Sequence, residues 1–179
     1  MAKRKGKRGI IIVVAVVIVI IAGILLYGGL INQPHLQVPT TNQVDSATGN
    51  SYNQTSTSHS TSTGSHGISG TGASSADSAT YSSASGSTID IYEFEFSNTT
   101  AAKNDYNTYI SFNVAGFFSS STNLTYKGFT YTSINLLVDS VAISFSGKFL
   151  VFVLCTGLSA HTTSAVLNVT IDSMTSFSI

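Results

Sequence analysis

Residues 149–155 read FLVFVLC and are apolar at every position, from Phe149 to Cys155. Successive side chains of a β-strand point to opposite faces of the sheet, so a strand that is apolar throughout needs a cover on both faces. We therefore predict that Phe149–Cys155 is a central strand buried on both sides. Ser146-Gly147-Lys148 before it and Thr156-Gly157 after it are typical of turns and give the strand defined ends.

Around this strand, apolar and polar residues alternate with the period of two that is typical of half-buried strands. The alternating segments are Tyr92–Phe96, Ile110–Val114, Ile134–Val138, Val141–Ser146 and Leu167–Asp172. In the first of them the aromatic side chains share one face, and Glu93 and Glu95 are expected to face solvent. No helical period is visible here, and Met174–Ile179 is expected to be a last strand or a strand offered to a neighbouring subunit. We predict an all-β domain over 88–179, an antiparallel immunoglobulin-like β-sandwich, with a jelly roll as the alternative.

The chain contains one cysteine, Cys155, so no disulfide can form within it. Its apolar surroundings in the sequence favour a buried thiol over a reactive one. An outer domain of this size must then be stabilised by its core alone.

Residues 32–87 are predicted to be a disordered stalk. From Asp45 to Thr88, 23 of 44 residues are Ser or Thr, and the apolar residues larger than Ala are Tyr52, Ile68 and Tyr81. Such a composition offers little apolar surface to offset the entropy of ordering the chain. It is also typical of O-glycosylated spacers.

The apolar run Ile10–Ile31 has no charged side chain. A helix of that length is about 33 Å long, enough to cross a lipid bilayer. Five of the eight basic residues lie in residues 1–9, whereas all eight acidic residues follow the run. Because basic segments stay in the cytoplasm, the pattern predicts a single-pass helix over 10–31 with residues 1–9 inside and the C-terminus outside. The negative balance of residues 32–179 argues against nucleic-acid binding.

Two alternatives concern the fate of this run. The motif Lys7-Arg8-Gly9 directly before it resembles the class III signal of type IV pilins and archaeal pilin-like proteins. That resemblance implies cleavage after Gly9 and a filament built on the apolar helix. Ordinary cleavage near Gly28-Gly29 would instead release the protein. The combination of a membrane helix with a β-sandwich is also similar to the archaellum stator proteins.

The sequon N-x-[ST] occurs at Asn53, Asn98, Asn123 and Asn168, all beyond the apolar run. We predict N-glycosylation at least at Asn98 and Asn123 in a host with that machinery. His59 and His66 have no cysteine or carboxylate between them and make a poor metal site. No phosphate-binding loop, zinc pattern or nucleophile motif is present.

These observations predict a non-enzymatic surface glycoprotein without a cofactor or a metal. Its expected partners are the lipid bilayer through Ile10–Ile31, and a protein, a glycan or a second copy of itself outside the cell. A structural or adhesive role fits this layout, whether the protein is cellular or virus-encoded. The alternatives are a pilin-like or donor-strand filament subunit and, least favoured, a secreted hydrolase.

Overall fold

A computed structural model describes residues 34–61, 72–113 and 119–175. Three helices and seven strands form within these ranges. The helices are α1 (Thr41–Thr48), α2 (Thr99–Asn113) and α3 (Ala160–Thr175). The strands are β1 (Tyr52–Ser60), β2 (Ser75–Ser83), β3 (Thr88–Glu95), β4 (Ser119–Tyr126), β5 (Phe129–Asn135), β6 (Asp139–Ser146) and β7 (Phe149–Thr156).

The seven strands pair into one antiparallel sheet in the order β1-β2-β3-β7-β6-β5-β4. β7 lies at its centre, between β3 and β6, and residues 149–153 are all buried. The prediction of a central strand buried on both sides is confirmed. So is the turn before it, because Ser146 pairs with Phe149 and Gly147 adopts φ 54°, a left-handed conformation that glycine favours.

One face of the sheet, called here the α3 face, carries Ile91, Val151 and Val153. These side chains form one core cluster with Val44 of α1 and with α3, and the chain before α1 packs against the same cluster. The opposite face, called the α2 face, carries Phe94, Ile143 and Phe152, among others. It is covered by α2, whose Tyr106 hydroxyl bonds to Thr132 Oγ1 at 2.7 Å and whose ring lies 4.7 Å from that of Phe145.

The predominance of antiparallel strands is confirmed, but the predicted β-sandwich and its jelly-roll alternative are wrong. Both architectures need two sheets packed face to face, whereas all seven described strands belong to one sheet. Helices supply the second and third layers. The reason is that β3 and β7 carry large apolar side chains on both faces and β6 is buried on both, so that neither face of the sheet can be left to solvent.

The segment Leu167–Asp172 was predicted as a strand and is part of α3. The buried residues of α3 recur three and four positions apart, which is the spacing of one helix face. They are Thr163, Val166, Leu167, Thr170, Ile171, Ser173 and Met174. Met174 therefore lies in the last turn of a helix and not in a final strand, while residues 176–179 lie outside the described ranges. Ile110–Asn113, also predicted as a strand, belongs to α2.

The predicted disordered stalk over 32–87 is wrong where the structure describes it, because 34–61 and 72–87 are part of the fold, whereas 32–33 and 62–71 lie outside the described residues. β2 pairs with β3 across the predicted boundary at residue 88, and β1 pairs with β2. Tyr52 and Tyr81, two of the few large apolar residues of this segment, are both buried in the α3-face core. The Ser and Thr residues of β1 and β2 fit strands because their backbone groups are satisfied by the ladder.

The predicted membrane helix Ile10–Ile31 and the processing site Gly9 lie outside the described residues. Among the helices within the described ranges, none combines the length and the apolar character needed to cross a membrane.

Tyr81→Ala tests whether residues 75–83 belong to the fold. Because Tyr81 is fully buried, the substitution is expected to lower the free energy of unfolding by about 3–5 kcal/mol. Ser82→Ala, at the next, half-buried position, should stay within about 0.5 kcal/mol of the wild type. Urea denaturation of the full chain in detergent, followed by circular dichroism, measures both. Equal stability of the two variants would indicate that this segment is not part of the fold and is disordered.

Candidate functional site

Three ionisable side chains form a row across β1, β2 and β3 on the α3 face. The strand register pairs His59 with Asp77 and Asp77 with Glu93, and paired residues point to the same face. His59 Nδ1 lies within hydrogen-bond distance of Asp77 Oδ1. No pattern in the sequence joins the three, because residues far apart in the chain meet here only through the strand register.

Glu93 is 0% exposed, although it was predicted to face solvent. Its Oε2 accepts a hydrogen bond of 2.6 Å from the backbone N–H of Gln37, and its buried Oε1 has no hydrogen-bond partner. Burial raises the pKa of the Glu93 carboxyl well above its ordinary value. The Gln37 N–H opposes this shift and the nearby Asp77 charge adds to it. A protonated Glu93 is therefore favoured in the folded protein.

Residues 34–40, called here the strap, cross the α3 face and hold Glu93 in place. The backbone N–H of His35 donates to Met174 O of α3 at 3.0 Å, and the Tyr81 hydroxyl donates to Pro39 O. Burial, together with the charge of Glu93, raises the pKa of Tyr81 to about 12. The strap thus closes over the most perturbed carboxyl of the row, and that carboxyl is out of reach of a ligand in solution.

On the opposite face of the same three strands lies an open cavity, called here the trough. Its volume is about 190 Å³. The residues that line it are Ser58, Ser60, Ala76, Asp77, Ser78, Tyr92 and Phe94. Ser58 Oγ and Ser78 Oγ are 2.8 Å apart and share a hydrogen bond. The trough is accessible, whereas on the α3 face the strap closes over Glu93 at the inner end of the row and leaves His59 exposed at the outer end.

Cys155 is buried and belongs to the core. Burial raises the pKa of its thiol to about 12, although a hydrogen bond with Thr163 acts in the opposite direction. A thiol in that state is a poor nucleophile. Within the described ranges, no three His, Cys, Asp or Glu side chains are arranged to hold a metal ion.

The four sequons lie in different settings. Asn53 is exposed on β1, and Asn98 is exposed at the start of α2, where its Oδ1 accepts a 2.9 Å hydrogen bond from Ala101 N and caps the helix. Asn123 lies on β4. Asn168 belongs to the segment Leu167–Asp172 that was predicted as a strand, but it lies within α3, and its Oδ1 is buried without a hydrogen-bond partner. Asn53 and Asn98 are thus the sequons whose described side chains are open to modification.

Comparison with known proteins finds a similar fold but no sequence relative. No family model matches the chain, and no curated protein matches it. The structure is similar to the extracellular domain of PknH from Mycobacterium tuberculosis, with a TM-score of 0.55 and 10% identity over 80% of this chain and 98% of that one. A GTP binding regulator from Thermotoga maritima gives a TM-score of 0.42 at 12% identity, over 79% of this chain and 96% of that one. The first likeness indicates a shared fold, and the second score is too low to support an inference.

Glu93→Gln tests the protonation state of the buried carboxyl. In the wild type, the contribution of the Glu93 carboxyl to the free energy of unfolding is expected to be complete below its ordinary pKa near 4.5. It should fall as the pH rises toward the higher pKa of the folded state. The slope reaches at most about 1.4 kcal/mol per pH unit, because the folded state binds one proton more than the unfolded state in that window. A glutamine side chain cannot ionise, so the variant should lack this loss and be the more stable protein at pH 8.

Urea denaturation of the full chain at a series of pH values between 4 and 9 measures this difference. Glu95→Gln is the matched control, because Glu95 lies on the same face but is partly exposed and paired with Lys148. This variant retains Glu93 and should therefore lose folding stability, as the wild type does, above the ordinary pKa of the Glu93 carboxyl. If the free energy of unfolding of Glu93→Gln changed with pH in parallel with that of the wild type, ionisation of Glu93 would not be the cause of the loss.

Proposed function

We propose that this chain is a non-enzymatic, single-pass surface glycoprotein whose described domain binds a partner outside the cell. The observation that supports the location most is the charge asymmetry around Ile10–Ile31, with five basic residues before the run and all eight acidic residues after it. The structural neighbour from Mycobacterium tuberculosis is described as an extracellular domain, and we extend that location to this chain.

The geometry of the domain favours binding over catalysis. The carboxyl with the most perturbed pKa, Glu93, is fully buried beneath the strap, so it offers no acid or base to a substrate. Cys155 is equally buried. The trough, in contrast, opens at the edge of the sheet and presents serine and aromatic side chains. This composition suits recognition of a partner, in a structural or adhesive role.

The partner is expected to bind to the folded domain and not to a separate stalk. Because 34–61 and 72–87 belong to the domain, these two ranges are not part of a long spacer. Binding is therefore assigned to the domain itself, including its Ser-rich edge β1. A pilin-like filament with a cut after Gly9 is the second candidate, favoured by Lys7-Arg8-Gly9 directly before the apolar run.

Cysteine labelling tests the orientation, and buried Cys155 leaves a low background. Ala84→Cys, at an exposed turn position, is expected to react in intact cells with a maleimide that cannot cross membranes. Ala2→Cys should react only after the membrane is permeabilised. The reverse result would contradict the proposed orientation. Cleavage after Gly9 would remove the label of Ala2→Cys from the mature chain altogether and support the filament.

Mass spectrometry of the chain from a glycosylating host tests modification at Asn98. Thr100→Ala destroys the sequon but leaves the helix cap of Asn98 intact, so it is expected to lose one glycan without losing stability. Thr99→Ala changes the middle position of the same sequon and should keep the glycan. Identical masses for the glycan-bearing peptide region in wild type and Thr100→Ala, apart from the substitution itself, would exclude modification of Asn98.

A further inference from the structure

The trough changes in chemical character from the edge of the sheet inward. Two rows of cross-strand neighbours on the α2 face run through it and on to β7. They are Ser58–Ser78–Tyr92–Phe152 and Ser60–Ala76–Phe94–Leu150. Each row begins with a hydroxyl on exposed β1, passes an aromatic ring on β3 and ends in the apolar core. The trough is therefore hydroxylic on one side and aromatic on the other.

The shape of the trough follows from the small residues on its middle strand. Ala76 and Ser78 are short, so β2 forms a depression between the aromatic side chains of β3 and the serines of β1. The Tyr92 ring is stacked on that of Phe94, with centroids 6.3 Å apart and planes 4° apart. It also packs edge to face with the ring of Phe152, with centroids 6.2 Å apart. Because neighbours fix the ring from two sides, little side-chain freedom is left to lose when a ligand binds.

The lining residues carry no charge that is available to a ligand. Asp77 is the one residue among them with a carboxyl or a basic side chain, and its carboxylate is paired with His59 on the α3 face. An anionic ligand would find no cation among these side chains. Ser58 and Ser78 together have two donors and four acceptor positions, and the bond between them uses one of each. The remaining positions suit a ligand with neutral hydroxyl groups.

We propose that the trough binds one ring of a neutral saccharide. A pyranose has an apolar C–H face, which would stack on Tyr92, and a rim of hydroxyls, which would bond to Ser58 and Ser78. The volume of about 190 Å³ is below the roughly 300 Å³ at the lower limit of sites for drug-sized molecules, and it suits a single ring. This proposal deepens the surface-binding role proposed above, on which it rests, by naming a glycan as the partner.

Saturation-transfer difference NMR tests the proposal on the full chain in lipid nanodiscs, since sugar-based detergents would compete. The chain is produced in a host without N-glycosylation, so that its own glycans cannot occupy the trough. The probes are the methyl glycosides of glucose, galactose and mannose, with glucuronic acid as the charged comparison. At least one neutral glycoside should receive saturation, mainly on the ring protons of one face.

Four variants locate the binding. Tyr92→Ala should abolish the transfer, and Ser78→Leu, which fills the depression but keeps Tyr92, should do so too. Ser78→Ala should weaken binding about 2- to 12-fold, as expected for the loss of one neutral hydrogen bond. Tyr126→Phe, on the α3 face, is the control and should bind as the wild type does.

No transfer to any neutral glycoside, from a protein with the wild-type circular dichroism spectrum, would overturn the proposal. So would undiminished transfer from correctly folded Tyr92→Ala or Ser78→Leu, or stronger transfer to glucuronic acid than to the neutral glycosides. Binding is measured on the purified chain and the surface location in cells by maleimide labelling. Either can therefore fail without the other.

Discussion

The burial of β7 on both faces is the constraint on which the rest of this structure depends. Val151 and Val153 lie on one face and Leu150 and Phe152 on the other, so each face of the sheet needs a cover. α2 covers one, and α3 covers the other together with α1 and the strap. A large apolar side chain buried in this way contributes about 1.5–3 kcal/mol. The fold can thus be stable without a disulfide, since its one cysteine is part of the core.

Large apolar residues made the central strands predictable, and small polar ones concealed the other elements. Phe149–Cys155 could be recognised as buried from its composition alone. α3 could not, because Thr163 and Thr170 occupy core-facing positions where a pattern of apolar residues would be sought. Their hydroxyls donate to Ser159 O at 3.1 Å and Val166 O at 2.9 Å, so that both side chains can be buried. The edge strand β1 was missed for a related reason, because its ladder needs backbone groups and few apolar side chains.

The candidate site was less accessible to sequence reasoning than the fold. One local signal existed for Glu93: Ile89 and Ile91 share its side of β3, so the same alternation that buries them also buries the carboxylate. Its partner Gln37 is 56 positions away, and no pattern joins the two. The trough depends on the register of β1 with β2 and of β2 with β3. Strand register is a property of pairs, and neither strand encodes it alone.

The hydrogen bond from His35 N to Met174 O fixes where the two ends of the described fold lie. It brings together the first and last segments of the described fold, so a pulling force or an attached group on either segment acts at the same place on the domain. The turn between β5 and β6 lies at the other end of α3, with Leu137 100% and Val138 72% exposed. A helix of 16 residues is about 24 Å long, so this exposed turn is separated from the joined segments by roughly that distance.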